Sequence, residues 1–534
     1  MSINFIVWYN IKLKSVLKVK KMDESPNVFP ERVQMLIDLL GEPEEGELNY
    51  TGKKREISRL EALRELKRLE DRGVIPPPEK HGWVNVHIHT SESFSIFRSP
   101  TEAAWKAYRA GLEIFGINDH YTIAGHKEFG EACKILGLKA AFSIEAIAMS
   151  EEAKKKGERY NDPKNPGRIY LCGKGVVRDL KPGSPGDNLL RTMREALRER
   201  YEKMTKKANM ILKKIDPSLN LTFDDVLKCT PRGNVTERHV AQAIAELLRN
   251  RFPGKSELKE FLRKLFGDVE VDVSSDAALQ DLIRNNLLKA GGAAYVEEPP
   301  RAFPSLEKLV SLFREYGAIP TYPVLGNPIT EKEADLDSLF DELESLGIFA
   351  IEVIPKRNTE ERLKEILEIA EKRGFPVFNG TEHNTKSPQP LVDEKSKKKE
   401  FLPIFKRGAY LILGHQFLSN YAGIGYIDAE GKLTFEDRRF GNSFFSFLGK
   451  IVWPDDVLEW FTSIGREKTF KIALGLYAIL GDEPNGWIVK QGFRVPNDVL
   501  DAIKVVNKQC IFTDEDAKKK FDCIVKKFFK KEKT

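Results

Sequence analysis

The sequence predicts an α/β chain in which a barrel-like sheet is interrupted by a helical insertion and flanked by helical extensions. Three observations carry this reading. Short apolar runs alternate with helix-period segments from Trp83 onward, the pattern of strands joined by crossover helices. The stretch from Pro185 to Pro300 breaks that rhythm and holds helical runs without a convincing strand. Of the 534 residues, 41% are hydrophobic and 31% charged, enough for a sizeable core and too apolar for a disordered or collagen-like chain.

Residues 1–80 read as an N-terminal extension with accessory helices. Met1 to Lys21 holds one apolar patch, Ile3 to Tyr9, followed by five lysines. A signal peptide carries its charge first, and a membrane span needs roughly 20 apolar residues, so the stretch fits neither. It is expected to lie ahead of a true start at Met22. Ile57 to Leu69 has amphipathic helical spacing, with Gly73 as its stop and Pro76-Pro77-Pro78 as a stiff exit.

Residues 81–184 and 301–436 form the two parts of the barrel. Its expected strands are Trp83–Ile88, Ile114–Asn118, Ala140–Ile147, Ile169–Val177, Ala318–Leu325, Phe349–Ile354, Pro376–Asn379 and Tyr410–Leu413. Between several of them lie expected helices at Pro100–Ala110, Lys127–Leu136, Leu306–Tyr316, Glu333–Leu346 and Glu360–Lys372, the first opened well by Pro100 after Ser99. Such alternation implies parallel pairing and a closed or nearly closed barrel, whose chemistry gathers where strands end. Residues 185–300 are the helical insertion, with runs at Asn188–Leu212, Glu237–Arg249 and Lys255–Leu265. Residues 437–534 read as a C-terminal helical region. Its final Lys526-Lys527-Phe528-Phe529-Lys530-Lys531 is a solvated helix end or a weak polyanion patch.

Lys and Arg number 86 against 80 Asp and Glu, a net charge of +6 that favours a small ligand over long nucleic acid. No segment has the length and hydropathy to span a bilayer, so no membrane partner is expected. Cys133, Cys172, Cys229, Cys510 and Cys523 are scattered and never form CxxC, which reads as reduced thiols of a cytoplasmic protein. Sparse glutamine with abundant Lys and Glu leans toward a thermophilic source. Nothing in the sequence fixes an oligomeric state.

Only 8 histidines are present, and several fall at strand ends. In Val84-Asn85-Val86-His87-Ile88-His89-Thr90 the two histidines are two apart and share a face, half of a metal site or a pair of core residues. Phe115-Gly116-Ile117-Asn118-Asp119-His120 is a second apolar strand ending in acid and imidazole. Val377-Phe378-Asn379-Gly380-Thr381-Glu382-His383-Asn384 is a third. Glu145 sits inside the apolar strand Ala141-Phe142-Ser143-Ile144-Glu145, where a buried carboxylate must be paired or hold a metal.

The ordered set His87-x-His89-Thr90, Asn118-Asp119-His120, Glu145 and Gly380-Thr381-Glu382-His383 resembles the PHP (polymerase and histidinol phosphatase) superfamily of metal-dependent phosphoesterases. The resemblance runs from about Trp83 to Ile427. With Val235-Thr236-Glu237-Arg238-His239 and Gly317-Ala318-Ile319-Pro320-Thr321-Tyr322-Pro323, it extends to the branch with a helical insertion that acts on nucleoside phosphates and short oligonucleotides. It implies a distorted (β/α)7-type PHP barrel hydrolysing a phosphoester by metal-activated water, with a small phosphorylated substrate and divalent manganese, zinc, magnesium or iron.

The chain departs from that pattern in several places. Phe94 and Ser95 stand where the family has an acid or His, and Tyr170 and Tyr322 where it has histidines. Glu382-His383-Asn384 replaces the terminal Asp-x-His. A neutral phenol is a poor ligand for zinc or manganese. The resemblance therefore implies a reduced centre of one or two ions. His87, His89, Glu145 and Glu382 would hold the first. His120 and His383 would hold a second, with Glu92 or His126 as substitutes. Asp119, His120 and His383 are the expected catalytic residues. Arg238, His239, Tyr170, Tyr322 and His415 are expected at the substrate, with packing as the alternative for His239 and His415. His81 reads as structural, the register of Glu352 stays open, and Gly173-Lys174-Gly175 is too short for a phosphate loop. The alternatives to a phosphoesterase are another metal-dependent chemistry (lyase, isomerase or other hydrolase) on the same scaffold, or a non-catalytic binding protein.

Overall fold

The computed structural model describes residues 29–41, 52–267, 270, 272–326, 328–481 and 511–512. The lysine-rich stretch before Met22, the run 526–531, Cys510 and Cys523 lie outside them.

Seven strands form one sheet in sequence order: β1 (Trp83–Ile88), β2 (Leu112–His120), β3 (Lys139–Met149), β4 (Arg168–Lys174), β5 (Ile319–Val324), β6 (Ala350–Val353) and β7 (Val377–Asn379). The sheet curls until its edges meet. A parallel bridge joins Ile88 to Glu382, with the Glu382 amide donating to His87 O (3.0 Å) and the His89 amide to Glu382 O (2.7 Å). The result is a nearly closed barrel whose seam runs through two of the residues singled out above.

Two expectations are corrected. Pairing is not all parallel, because β4 runs antiparallel to both β3 and β5. The start of β4, not its end, therefore faces the barrel mouth, and Cys172 lies directly opposite Glu145. The eighth expected strand, Tyr410–Leu413, is instead the middle of a helix, Leu402–Ala422. A short apolar run has the same composition in a buried helix as in a buried strand, and periodicity alone does not separate them. This helix packs on the barrel so closely that glycine is required. A Cβ on Gly408 would lie 1.9 Å from Val377 O, and one on Gly414 would lie 1.9 Å from Phe445 O in the helix Arg438–Lys450.

Helices form where the caps say they should. Ser99 accepts from the Glu102 amide to start Pro100–Arg109 with proline in its first turn. Ser184 accepts from the Asp187 amide to start Pro185–Ile215 in the same way. The accessory helix Gly52–Asp71 ends before Gly73, whose φ of 74° suits a left-handed stop. Between β4 and β5 the insertion folds as helices, among them Pro185–Ile215, Glu237–Arg251, Lys255–Phe266 and Asp276–Ile283. The last runs on into a π turn, Arg284–Leu288, a widening that recurs at functional sites. No helix among the described residues is long and apolar enough to cross a membrane.

Candidate functional site

The barrel mouth brings three of the predicted side chains to one point. His87 Nε2, His89 Nε2 and Glu145 Oε2 lie 3.3, 3.3 and 3.2 Å apart. All three residues are buried. A tetrahedral ion held by bonds of 2.0–2.1 Å spaces its ligands by about 3.3–3.4 Å, so the triangle already has the dimensions of a metal site.

Hydrogen bonds from behind the two rings turn both Nε2 lone pairs toward the triangle. His87 Nδ1 donates to Glu352 Oε2 at 2.7 Å, which places the Nε2 lone pair inside the triangle. Ser93 Oγ donates to Asp119 Oδ1 (2.6 Å) and so accepts from His89 Nδ1 (3.0 Å), which turns the second Nε2 lone pair inward as well. Carboxylate-backed imidazoles of this kind are the usual second layer of a metal centre. Burial is the largest influence on His87 and opposes its charge. The Glu352 carboxylate overrides it, raising the pKa well above the ordinary value, so a proton and an ion compete for this ring. Burial lowers the pKa of His89 despite Glu145. Glu145 stays ionised against burial because His120, His87 and His89 surround it. A second grouping, His87 with Cys172 and Glu352, could also hold an ion by spacing. There, however, the buried ammonium of Lys174 already holds Glu352 Oε1 at 2.7 Å.

The triangle opens into a cavity of about 910 Å³ roofed by the insertion. Its wall carries seven cationic side chains, Lys164, Arg168, Arg200, Arg238, Arg284, Lys289 and Arg357, against five carboxylates, Glu145, Asp162, Glu237, Glu298 and Glu382. Aromatic rings of Phe94, Tyr121, Tyr170, Tyr201, Tyr295 and Phe303 complete the lining.

The remaining predicted residues divide clearly. His120 reaches the cavity wall. Its Nδ1 is 3.9 Å from Glu145 Oε2 without a hydrogen-bond partner, and burial pushes its pKa down to about 4. Tyr170 and Arg238 also line the cavity. Glu382 lines it too, but its Oε2 is taken by Arg357 and by Asn384 Nδ2 (2.9 Å), and it stands outside the triangle.

Five expectations are corrected. Asp119 sits behind the triangle, accepting from the Thr90 amide (2.7 Å), Thr90 Oγ1 (2.7 Å) and Ser93 Oγ; it positions His89 and does not face the cavity. His383 is turned away. The left-handed backbone at Glu382 and His383 (φ 65° and 56°) aims its ring at Thr381 Oγ1 (2.8 Å) and Gln389 O (3.2 Å), stacked on Phe97. Tyr322 is fully buried with its hydroxyl donating to Glu333 (3.3 Å), because Thr321 and Pro323 take the inward positions of β5. His239 Nδ1 accepts from the Thr236 amide (3.0 Å) as part of a helix cap. His415 braces three segments, with Nε2 on Gly317 O (2.8 Å) and Gly175 O (3.0 Å) and Nδ1 accepting from the Tyr426 amide (2.9 Å). The two substitutes are engaged elsewhere: Glu92 pairs with Arg232, and His126 Nε2 bonds Ser143 O (3.0 Å). His81 stacks on Trp83 as a structural residue.

His415 gives a pH prediction. Burial pushes its pKa down to about 4 from an ordinary 6.5. A depressed folded-state pKa means that its contribution is fully present above about pH 6.5 and is lost as pH falls toward about 4, a change of about 3 kcal/mol at the acid end. Melting curves across that window should fall more steeply for the wild type than for His415→Gln. Equal slopes would contradict this role.

Sequence reasoning left Glu352 open by one residue of register and gave no site role to Lys174, Asn118, Cys172 or most of the cavity cations. Lys174 and Glu352 each carried a signal, a lone charge within an apolar strand, and two such charges must find each other.

No family model matches the chain. A curated protein, the 5'-3' exoribonuclease of Haemophilus influenzae, is 25% identical over 236 residues, covering 44% of this chain and 76% of that protein. Among solved structures, a candidate metal-dependent phosphoesterase of Bifidobacterium adolescentis is 20% identical, covering 61% of this chain and 97% of its own at a TM-score of 0.41. An amidohydrolase of Chromobacterium violaceum, solved with sulfate and no metal, is 16% identical over 58% of this chain and 92% of its own, at a TM-score of 0.40.

Proposed function

We propose that the protein is a metal-dependent phosphoester hydrolase acting on a small phosphorylated molecule. The observation that carries the reading is the His87–His89–Glu145 triangle, with both Nε2 atoms turned inward and edges of 3.2–3.3 Å, at the floor of a cavity with a cationic wall. A divalent ion held by these three residues would polarise the phosphoryl group and lower the pKa of a water molecule. The chain's own residues supply the rest. Arg238, Arg284 and Arg357 on the wall offset the charge of an incoming phosphate and fix its orientation. His120 Nδ1, unpartnered beside Glu145, is the base that takes a proton from the attacking water. Insertion helices close over the cavity and limit competing solvent. Asp119 and Glu352 act one step back, by fixing His89 and His87.

Within the phosphorylated class, a nucleotide or the end of a short oligonucleotide is favoured by the tyrosines beside the cationic wall. Arg200 lies over the rings of Tyr201 and Tyr295 (5.4 and 5.7 Å), a surface on which a base can stack. The likeness to an exoribonuclease agrees with this choice. The test is phosphate release from an aryl phosphate and from 5'-nucleotides with manganese, compared with His87→Ala. Release that His87→Ala abolishes is expected. No release from any phosphoester with manganese, zinc, magnesium or iron would contradict the function.

A further inference from the structure

The triangle of His87, His89 and Glu145 leaves a tetrahedral ion one protein ligand short of a closed shell, and the expected fourth, Glu382, is held by Arg357 and Asn384. A different group stands against the triangle. Asn118 Nδ2 lies 2.9 Å from His87 Nε2 and 3.3 Å from Glu145 Oε2, separations of the same size as those within the triangle. Asn118 is fully buried, and its Oδ1 is without a hydrogen-bond partner. In this rotamer the amide N–H groups cap the lone pairs that an ion would take. Turning the amide over exchanges nitrogen for oxygen at the same point, since the two ends of the group are nearly identical in shape. It would replace a donor facing the ligands by a hard acceptor facing the ion.

We propose that Asn118 is the fourth protein ligand of the metal centre, through Oδ1, and that its amide rotates when the ion binds. The proposal rests on the metal-centre reading above. It accounts for two facts together: a fully buried asparagine with an orphaned oxygen, and the diversion of Glu382 into an ion pair with Arg357. A rotation of this kind lets one side chain serve the site in both states, as donor to His87 Nε2 and Glu145 Oε2 without the ion and as an oxygen ligand with it.

Cobalt(II) titration of the full chain tests it, read by visible absorption and by calorimetry, with melting of each ion-free variant as a check on folding. Wild type, Asn118→Ala, Asn118→Asp and His87→Ala are compared. Asn118→Ala is expected to bind at least about 10-fold more weakly, since even a residue behind a ligand is worth that much, with an altered cobalt spectrum. A residue that serves only as a hydrogen-bond donor competes with the ion for His87 Nε2, so removing it in Asn118→Ala would leave affinity unchanged or raised. Asn118→Asp keeps an oxygen at the same point, and a ligand would keep or gain affinity there. Asn118→Asp binding as weakly as Asn118→Ala, or Asn118→Ala binding like wild type with an unchanged spectrum, would overturn the proposal while leaving the centre itself intact. Wild type binding no better than His87→Ala would overturn the metal-centre reading, and the proposal with it.

Discussion

Glu145→Gln is expected to lower phosphoester hydrolysis on the order of 10³-fold or more. The carboxylate is the only anionic member of the triangle, at 3.2 and 3.3 Å from the two Nε2 atoms. Losing its charge removes several kcal/mol of the stabilisation that a held cation contributes, and each ~1.4 kcal/mol is tenfold in rate. The substitution preserves shape and adds an N–H where an ion should sit. The fold should therefore survive, and the loss should appear in metal affinity before it appears in stability. Rates and metal affinity measured together check this. A variant that binds metal and substrate normally and retains more than a tenth of the rate would contradict Glu145 as a ligand.

Lys174→Met has the largest expected effect on stability. Lys174 and Glu352 are both fully buried, their 2.7 Å contact is the ammonium's only carboxylate partner among the described residues, and Lys174 also donates to Val86 O (3.2 Å). Removing one member of such a pair leaves an uncompensated charge and costs about 3–5 kcal/mol. The urea midpoint should fall accordingly. Lys174→Met combined with Glu352→Met should regain much of that stability, because two apolar side chains replace two paired charges. Metal affinity should not return with it, since His87 would have lost the carboxylate that orients its ring. A double variant as tight for metal as wild type would separate Glu352 from the centre.

The sequence made the barrel and the His87–His89–Glu145 cluster legible for one physical reason: strand geometry has a short, rigid period. His87 and His89 are two apart at the end of an apolar strand, so they had to share a face, and Glu145 in an apolar run had to find a partner. The reversal of β4 was hidden, because an antiparallel strand and a parallel one have the same composition. That reversal explains why Tyr170 reaches the mouth and Lys174 the interior. The His383 assignment failed at a backbone feature. Two consecutive left-handed residues turn the ring from the cavity, and nothing in Glu-His-Asn announces such a turn. Tyr322 failed by one residue of register, the smallest error that moves a side chain to the opposite face. His415 failed because its apolar run is a helix. The cavity cations Arg168, Arg200 and Arg284 come from β4 and from the insertion, and only the folded chain brings them to one wall.

Whether the triangle holds an ion separates a metal centre from a buried polar cluster. Elemental analysis of the purified full chain after exhaustive dialysis, repeated for His89→Ala, measures this directly. The expected result is one tightly held divalent ion per chain in the wild type and none in the variant. No ion in the wild type, more than one, or an ion that survives His89→Ala would contradict a single centre built on His87, His89 and Glu145.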